Sequence, residues 1–269
     1  MPATEASAAP LTSPLPDPAA SSDPASLDPA SLPDLAAVAS RRLAWDDAMA
    51  AFLPGMASLE RTIATTAEAV LGRPPSRILD LGGGPGRFAE RLTARWPTTR
   101  ITVVDLDPVL LALARTALPP SVTMIAADLT GPSWPALTGD GYHLVTAVMA
   151  VHYLDARQIA ALYRRAHAVL APGGVLVVAD VMPDPHLPAV MTALASAGPP
   201  ADACSNWWST LPGVPGLGPL LSQRAEAFGH PPAEFTADAG WHASAVRAAG
   251  FTEAGLIWRE SRHAALAAR

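Results

Sequence analysis

Residues 78–89 read ILDLGGGPGRFA. Four glycines, Gly82, Gly83, Gly84 and Gly86, fall within five positions, directly after a short run of strand-forming residues. Glycine costs roughly 0.5–1 kcal/mol relative to alanine inside a helix or strand, so this cluster needs a reason. Either the chain turns sharply here, or a ligand approaches the backbone where a Cβ would stand.

Outward from this stretch the sequence alternates. RILDL (77–81), RITVV (100–104), VTMIA (122–126), YHLVTAV (142–148) and VLVVA (175–179) read as short buried strands. Helical patterns lie between them at 86–95, 108–117 and 156–170. Strands of this type alternating with helices indicate a parallel sheet covered on both faces. Two helices precede the first strand, at 35–53 and about 57–71, and Gly72 suits the residue after a helix end. Residues 183–239 break the rhythm with many prolines, and a helix at about 217–228 is the clearest element inside them. A helix at 241–249 and strands at 255–259 and 263–268 complete the pattern. No internal repeat is present.

The totals bound the class. The chain has 269 residues, half of them apolar, enough for one sizeable α/β domain. The first 34 residues are rich in Ala, Pro and Ser, without aromatic or basic residues. Such a stretch buries too little apolar surface to offset its ordering entropy and reads as a disordered tail. It lacks the basic and apolar regions of an export signal. No apolar run approaches the roughly 20 residues that span a bilayer. The single Cys204 excludes an internal disulfide and fits a reducing cytoplasm. A net charge of −6, with no run of basic residues, argues against nucleic acid as a partner.

In a doubly wound sheet, ligands sit beyond the carboxyl ends of the strands, at the switch point, and the glycine run lies there. A dinucleotide is one reading, because Gly84 to Ala89 fits G-x-G-x-x-A and Asp105 follows Gly86 by 19 residues. Three features favour a cationic nucleoside instead. Pro85 removes an N–H that would cradle a diphosphate. Asp80, just before the turn, repels a diphosphate but suits a cation. Asp128, after the third strand, offers an acceptor for an exocyclic amine. With a ribose at Asp105, the layout is that of S-adenosylmethionine.

Here the chain resembles the class I S-adenosylmethionine-dependent methyltransferases, over about residues 41–182 and 240–269. LDLGGGPGRFAERL resembles their first motif, carried by Asp80, Gly82, Gly84 and Gly86. VVDLDPVLLALA resembles the second-strand segment, which implies that Asp105 holds the ribose and Leu106 packs on the adenine. IAADL implies that Asp128 and Leu129 meet the adenine edge, and YHLVTAVMAVHYLD that Ala147 and Val148 contribute backbone. LAPGGVLVVAD and WHASAVRAAGF resemble the fifth strand's approach and the helix before the sixth. The resemblance implies a doubly wound, seven-stranded, mostly parallel α/β sheet in the order 3-2-1-4-5-7-6, the seventh strand antiparallel. It departs at His143, where the family's fourth strand opens on an Asp.

Methyl transfer is an in-line displacement, so the protein mainly aligns nucleophile and methyl group. A protic acceptor also needs a base tuned near neutrality. His152, after the fourth strand, is the candidate, the alternative being a cap on the following turn. Tyr153 beside it suits substrate orientation or packing. Residues 183–239 read as a lid insertion between the main domain (35–182) and its C-terminal part (240–269). Asn206, Trp207 and Trp208 within it suit a pocket wall for a small molecule, or lid core. Trp45 either closes over the cofactor or is buried by its helix. Asp180, Asp184 and His186 bunch after the fifth strand without ligand spacing, so no metal is expected. The expected function is S-adenosylmethionine-dependent methylation of a small organic acceptor in the cytoplasm, plausible as natural-product tailoring. A fold that binds the cofactor without consuming it, and a methyltransferase of RNA or protein, are the alternatives. The N-terminal helices suit packing against a second copy in a homodimer.

Overall fold

The structure, a computed structural model, describes residues 35–197, 202–229, 233 and 235–269. Residues 1–34, read as a tail, lie outside the described residues. Seven strands, β1 (Arg77–Leu81), β2 (Arg100–Asp105), β3 (Val122–Ala126), β4 (Tyr142–Val148), β5 (Leu170–Val181), β6 (Ala254–Glu260) and β7 (His263–Ala268), form a sheet in the order β3-β2-β1-β4-β5-β7-β6. The first five are parallel, and β7 runs antiparallel to both β5 and β6. The chain winds outward from β1 to β3, then restarts on the other side at β4. The switch point therefore falls between β1 and β4, beside the glycine run.

Side chains alternate across the sheet and make two cores. Leu79, Leu81, Val145, Leu176, Val178 and Leu266 pack on one face with α6 (Ala156–Val169) and α10 (Ala239–Ala248). Ile78, Ile101, Val103, Leu144, Val175 and Val177 pack on the other with α2 (Met56–Leu71) and α3 (Arg87–Arg95). A third core joins α1 (Leu35–Phe52) and α4 (Pro108–Arg115) to residues of the 183–239 segment through Val38, Leu113, Trp207, Leu211 and Leu217.

Three helices escaped the sequence reading: α5 (Trp134–Thr138), α7 (Pro188–Ala197) and α8 (Asp202–Ser209). The first is a single short turn held by the fully buried Trp134. Of the other two, α7 buries only Met191 among its residues, and α8 packs through Trp207 and Trp208 on a stretch too short to show a helical period. The helix expected near 217–228 is α9 (Gly218–Ala227). Strand β5 begins earlier than VLVVA because Leu170 already pairs with Tyr142. The ladder then skips to Leu144 opposite Val175, and the Pro172–Gly174 turn bulges out between them.

Helices α8 and α9 pack on α1 and α4 respectively. Hence these parts of the 183–239 segment stand over the β2 side of the switch point. A cavity of about 580 Å³ also exists at the opposite edge of the sheet, lined by Arg77, Thr99, Arg100 and Thr102. It lies at the amino ends of the strands, away from the glycine run.

Candidate active site

The turn after β1 is shaped by close approach. Gly82 has φ +72°, and a Cβ there would lie 2.5 Å from Ala150 Cβ, in the turn after β4. A Cβ on Gly83 would meet Asp80 Oδ2 at 2.5 Å. Gly84 and Gly86 also have left-handed φ, +55° and +70°. No L-side chain is compatible with this turn without displacement.

Asp80 sits beneath the turn, 2 % exposed. Its Oδ1 accepts from Thr146 Oγ1 at 2.8 Å, while Oδ2 is buried and has no hydrogen-bond partner among the described residues. Burial, opposed by the Thr146 bond and reinforced by the Asp105 charge, pushes its carboxyl up to about 6. An orphaned carboxylate oxygen at a glycine turn is a site prepared for a donor or a cation.

Asp105 ends β2 and reaches the same turn. Its Oδ2 accepts from Gly84 N–H at 2.7 Å and its Oδ1 from Asp107 N–H at 2.8 Å. Although half-buried, it is desolvated enough that these bonds do not hold it down, and its carboxyl is also pushed up to about 6. Each oxygen keeps acceptor capacity. Leu106, half-buried, follows it, and Asp107 caps α4 by accepting from Val109 and Leu110 N–H. Asp128 is exposed after β3, its oxygens taken by Thr130 N–H and Oγ1 at 2.8 and 2.7 Å. Leu129 lies within 3.9 Å of a Gly82 Cβ position. Ala147 is buried at the end of β4, Val148 half-buried beside it. Asp80, Gly82, Gly84, Asp105, Leu129 and the turn after β4 thus converge on one crevice.

His152 lies in a 3-10 turn (Val151–Tyr153) after β4. The DARQ sequence that follows holds the turn: Asp155 caps Arg157 and Gln158 N–H, and Gln158 Oε1 accepts from Asp155 N–H. The imidazole Nδ1 is 2.8 Å from Asp180 Oδ1, at the end of β5. Asp180 is 2 % exposed and accepts from Val151 and Val181 N–H at 2.9 and 2.7 Å. Burial raises its carboxyl, yet the bond to His152 and the backbone donors together hold it below the usual carboxylate range. Tyr153 stacks obliquely on His152, ring centroids 4.1 Å apart, and is 56 % exposed.

The aromatic residues of the 183–239 segment divide. Trp207 is 5 % exposed; its indole N–H donates to Arg41 O at 2.9 Å and its ring meets Trp45 edge-on at 4.7 Å. It packs in the third core, so the structure gives Trp207 and Trp45 to helix packing. Trp208 is half-buried with the Arg224 guanidinium 3.7 Å over its ring, and Arg224 Nε donates to Asp107 Oδ2 at 2.6 Å. Asn206 is exposed on α8. His143 lies at the other end of β4, between Arg73 and Ser76. Among the described residues no group of His, Cys, Asp and Glu could hold a metal ion.

Sequence reading missed two residues. Arg42 on α1 is 2 % exposed and donates to Pro85 O at 2.8 Å, Gly86 O at 3.2 Å and Glu90 at 3.0 Å. It fastens α1 to the glycine turn. Asp180, noticed only as part of an unlikely metal group, is instead the partner of His152.

A family profile described as a methyltransferase domain matches residues 78–174, from β1 through the turn before VLVVA. The match covers the glycine turn, Asp105, Asp128 and His152. This part of the chain is similar to a methyltransferase domain. Among curated proteins it is similar to trans-aconitate 2-methyltransferases. That of Paracidovorax citrulli is 34 % identical over 122 residues, covering 44 % of each chain. That of Variovorax paradoxus is 33 % identical over 147 residues, 52 % of this chain and 54 % of the relative. The chain thus spans about half the length of the curated relatives it matches. Among solved structures, the apo form of the S-adenosylmethionine-dependent methyltransferase SibL superposes with a TM-score of 0.51 at 24 % identity, covering 81 % of this chain and 57 % of that one. A putative O-methyltransferase from Nostoc punctiforme gives 0.54 at 19 % identity, covering 82 % and 59 %. Both share the fold.

Proposed function

We propose that this chain binds S-adenosylmethionine in the crevice at β1, β2 and β3 and catalyses methyl transfer to a small organic acceptor, a reaction suited to natural-product tailoring in the cytoplasm. The observation that carries the reading is the orphaned Oδ2 of Asp80 at a turn whose glycines leave no room for side chains. The cofactor supplies a methyl group on a sulfonium, already activated as an electrophile. Asp80 would face the positive end of the nucleoside, Asp105 its ribose hydroxyls, and Asp128 with Leu106 and Leu129 its adenine. The turn of Gly82, Gly84 and Gly86 would meet the ligand with backbone, Gly82 and Gly86 lacking side chains because Ala150 and Leu118 stand in their place, and Ala147 and Val148 would close the crevice from β4. His152 is the base, and Tyr153, Asn206 and Trp208 are the side chains nearest the acceptor. In the test, the purified chain is incubated with labelled S-adenosylmethionine and candidate acceptors. Release of S-adenosylhomocysteine equal to methylated product supports methyl transfer; product formed without that release refutes it.

A second reading, methylation of trans-aconitate, rests on the similarity to the trans-aconitate 2-methyltransferases.

A further inference from the structure

The cavity of about 580 Å³ at the amino ends of β1, β2 and β3 takes no part in the glycine-turn crevice. Its charges are the unusual feature. Arg77 opens β1 and Arg100 opens β2, and the two are register partners on neighbouring parallel strands. Their side chains therefore leave the same face of the sheet, from strands about 4.8 Å apart. Like charges placed side by side in this way repel. Among the described residues neither arginine forms an ion pair or donates a side-chain hydrogen bond. Arg77 only rests its guanidinium 4.8 Å over the Tyr142 ring. No Asp or Glu lines the cavity. The excess positive charge reaches the next strand, where His143 is held below the ordinary imidazole value by burial and then by the charges of Arg73 and Arg77.

The remaining walls supply what a small ligand needs. Ser121 and Thr123 bring hydroxyl groups that make no side-chain hydrogen bond to another described residue. Ile125 and Leu137 form an apolar side. Leu137 is 56 % exposed, because α5 is one short turn and leaves this part of the sheet face uncovered. Two unpaired guanidinium groups call for two negative charges on one compact group. A monocarboxylate carries one. A phosphate monoester carries close to two at neutral pH, and its oxygens match the fork of each guanidinium and accept from hydroxyls as well. The chain as a whole is acidic, with a net charge of −6, so this local concentration of positive charge suits a small anion rather than a nucleic acid.

We propose that this cavity is a second ligand site, which binds a phosphate monoester carried on a small apolar or aromatic group. The phosphate lies between Arg77 and Arg100 with Ser121 and Thr123 donating to it, and the organic group lies against Ile125 and Leu137. The site is independent of the S-adenosylmethionine crevice. Five residues of β1 at about 3.3 Å each separate Arg77 from Gly82, roughly 16 Å.

The test is isothermal titration of phenyl phosphate into the full chain, with S-adenosylhomocysteine in excess to occupy the nucleoside crevice. Saturable one-to-one binding is expected, tighter than that of inorganic phosphate and of benzoate. Arg77→Gln and Arg100→Gln should each weaken it about tenfold or more, the scale of a lost charge-assisted contact. Leu137→Ser should weaken phenyl phosphate several-fold and leave inorganic phosphate unchanged. No saturable binding, equal affinity for benzoate, affinity unchanged in both arginine variants, or displacement by S-adenosylhomocysteine would each overturn the proposal. Arg100 is exposed at the first residue of its strand, so Arg100→Gln removes no packing and decides the matter where Arg77→Gln fails to fold.

Discussion

Replacing Asp80 by asparagine should make the cofactor-free protein more stable and its cofactor site poorer. The carboxyl is buried and its pKa is pushed up to about 6 from an ordinary 3.8. For an acid, a raised folded-state value means that the native state holds its proton more tightly than the unfolded chain. Stability from this group therefore falls as pH rises from about 4 to about 6, and the penalty is complete above that window. Two units amount to about 3 kcal/mol at pH 7. Asparagine removes the charge and keeps an oxygen for Thr146 Oγ1. Its amide nitrogen would inherit the unpartnered position of Oδ2, which returns about 1–2 kcal/mol. The net expectation is a gain of about 1–2 kcal/mol, or roughly 2–8 °C in melting temperature for a domain of this size. Calorimetric scans of the cofactor-free protein at pH 7 should show that gain, and scans near pH 4.5 should show it largely gone. Titration of S-adenosylmethionine into the variant should show affinity weakened about 10- to 100-fold, the scale of a lost charge-assisted contact. A variant that melts below the native protein at pH 7 and binds the nucleoside normally would refute the reasoning.

Other consequences follow from the same site. Asp80 and Asp105 both have carboxyls pushed up to about 6, so cofactor affinity should fall as pH drops through that value, by roughly tenfold per carboxyl one unit below it. Isothermal titration between pH 7.5 and 5 checks this, and a flat profile contradicts it. Arg42→Met should cost about 2–4 kcal/mol in urea unfolding, because Pro85 O and Gly86 O lose their donor. The same variant should loosen the turn enough to weaken nucleoside binding. Trp207→Ala should cost about 3–5 kcal/mol as a core deletion, whereas Trp208→Ala, half-buried, should cost less and act mainly on acceptor kinetics.

Much of this architecture was written in local pattern. ILDLGGGPGRFA contains both the strand and the turn, and the alternation downstream predicts the remaining strands to within a residue or two, except that β5 starts five residues before VLVVA. The acids at 80, 105 and 128 are legible because each ends or follows a strand, and a parallel sheet gathers those ends at one edge. What could not be read depends on distant backbone. Arg42 bonds to carbonyl oxygens 43 and 44 residues away, and no side-chain pattern encodes a carbonyl. Trp207 and Trp208 look equivalent in sequence, but neighbours on a helix point about 100° apart, and only Trp207 faces α1 deeply. Asp180 was visible as chemistry without a partner. Its pairing with His152 follows from β4 and β5 lying side by side, Val148 opposite Ala179, which brings the turn after one strand to the end of the other. The lid's aromatic wall was expected above the acceptor, but sequence gave no means to see that α1 and α4 would claim part of it.

The central claim is that a side-chain-free turn ringed by acids receives a cationic sulfur nucleoside. Isothermal titration of the native chain, with S-adenosylmethionine in one experiment and NADH in another, tests it most directly. Saturable one-to-one binding of the first and none of the second is the expected result. Silence with S-adenosylmethionine, or saturation by the dinucleotide, would contradict the account.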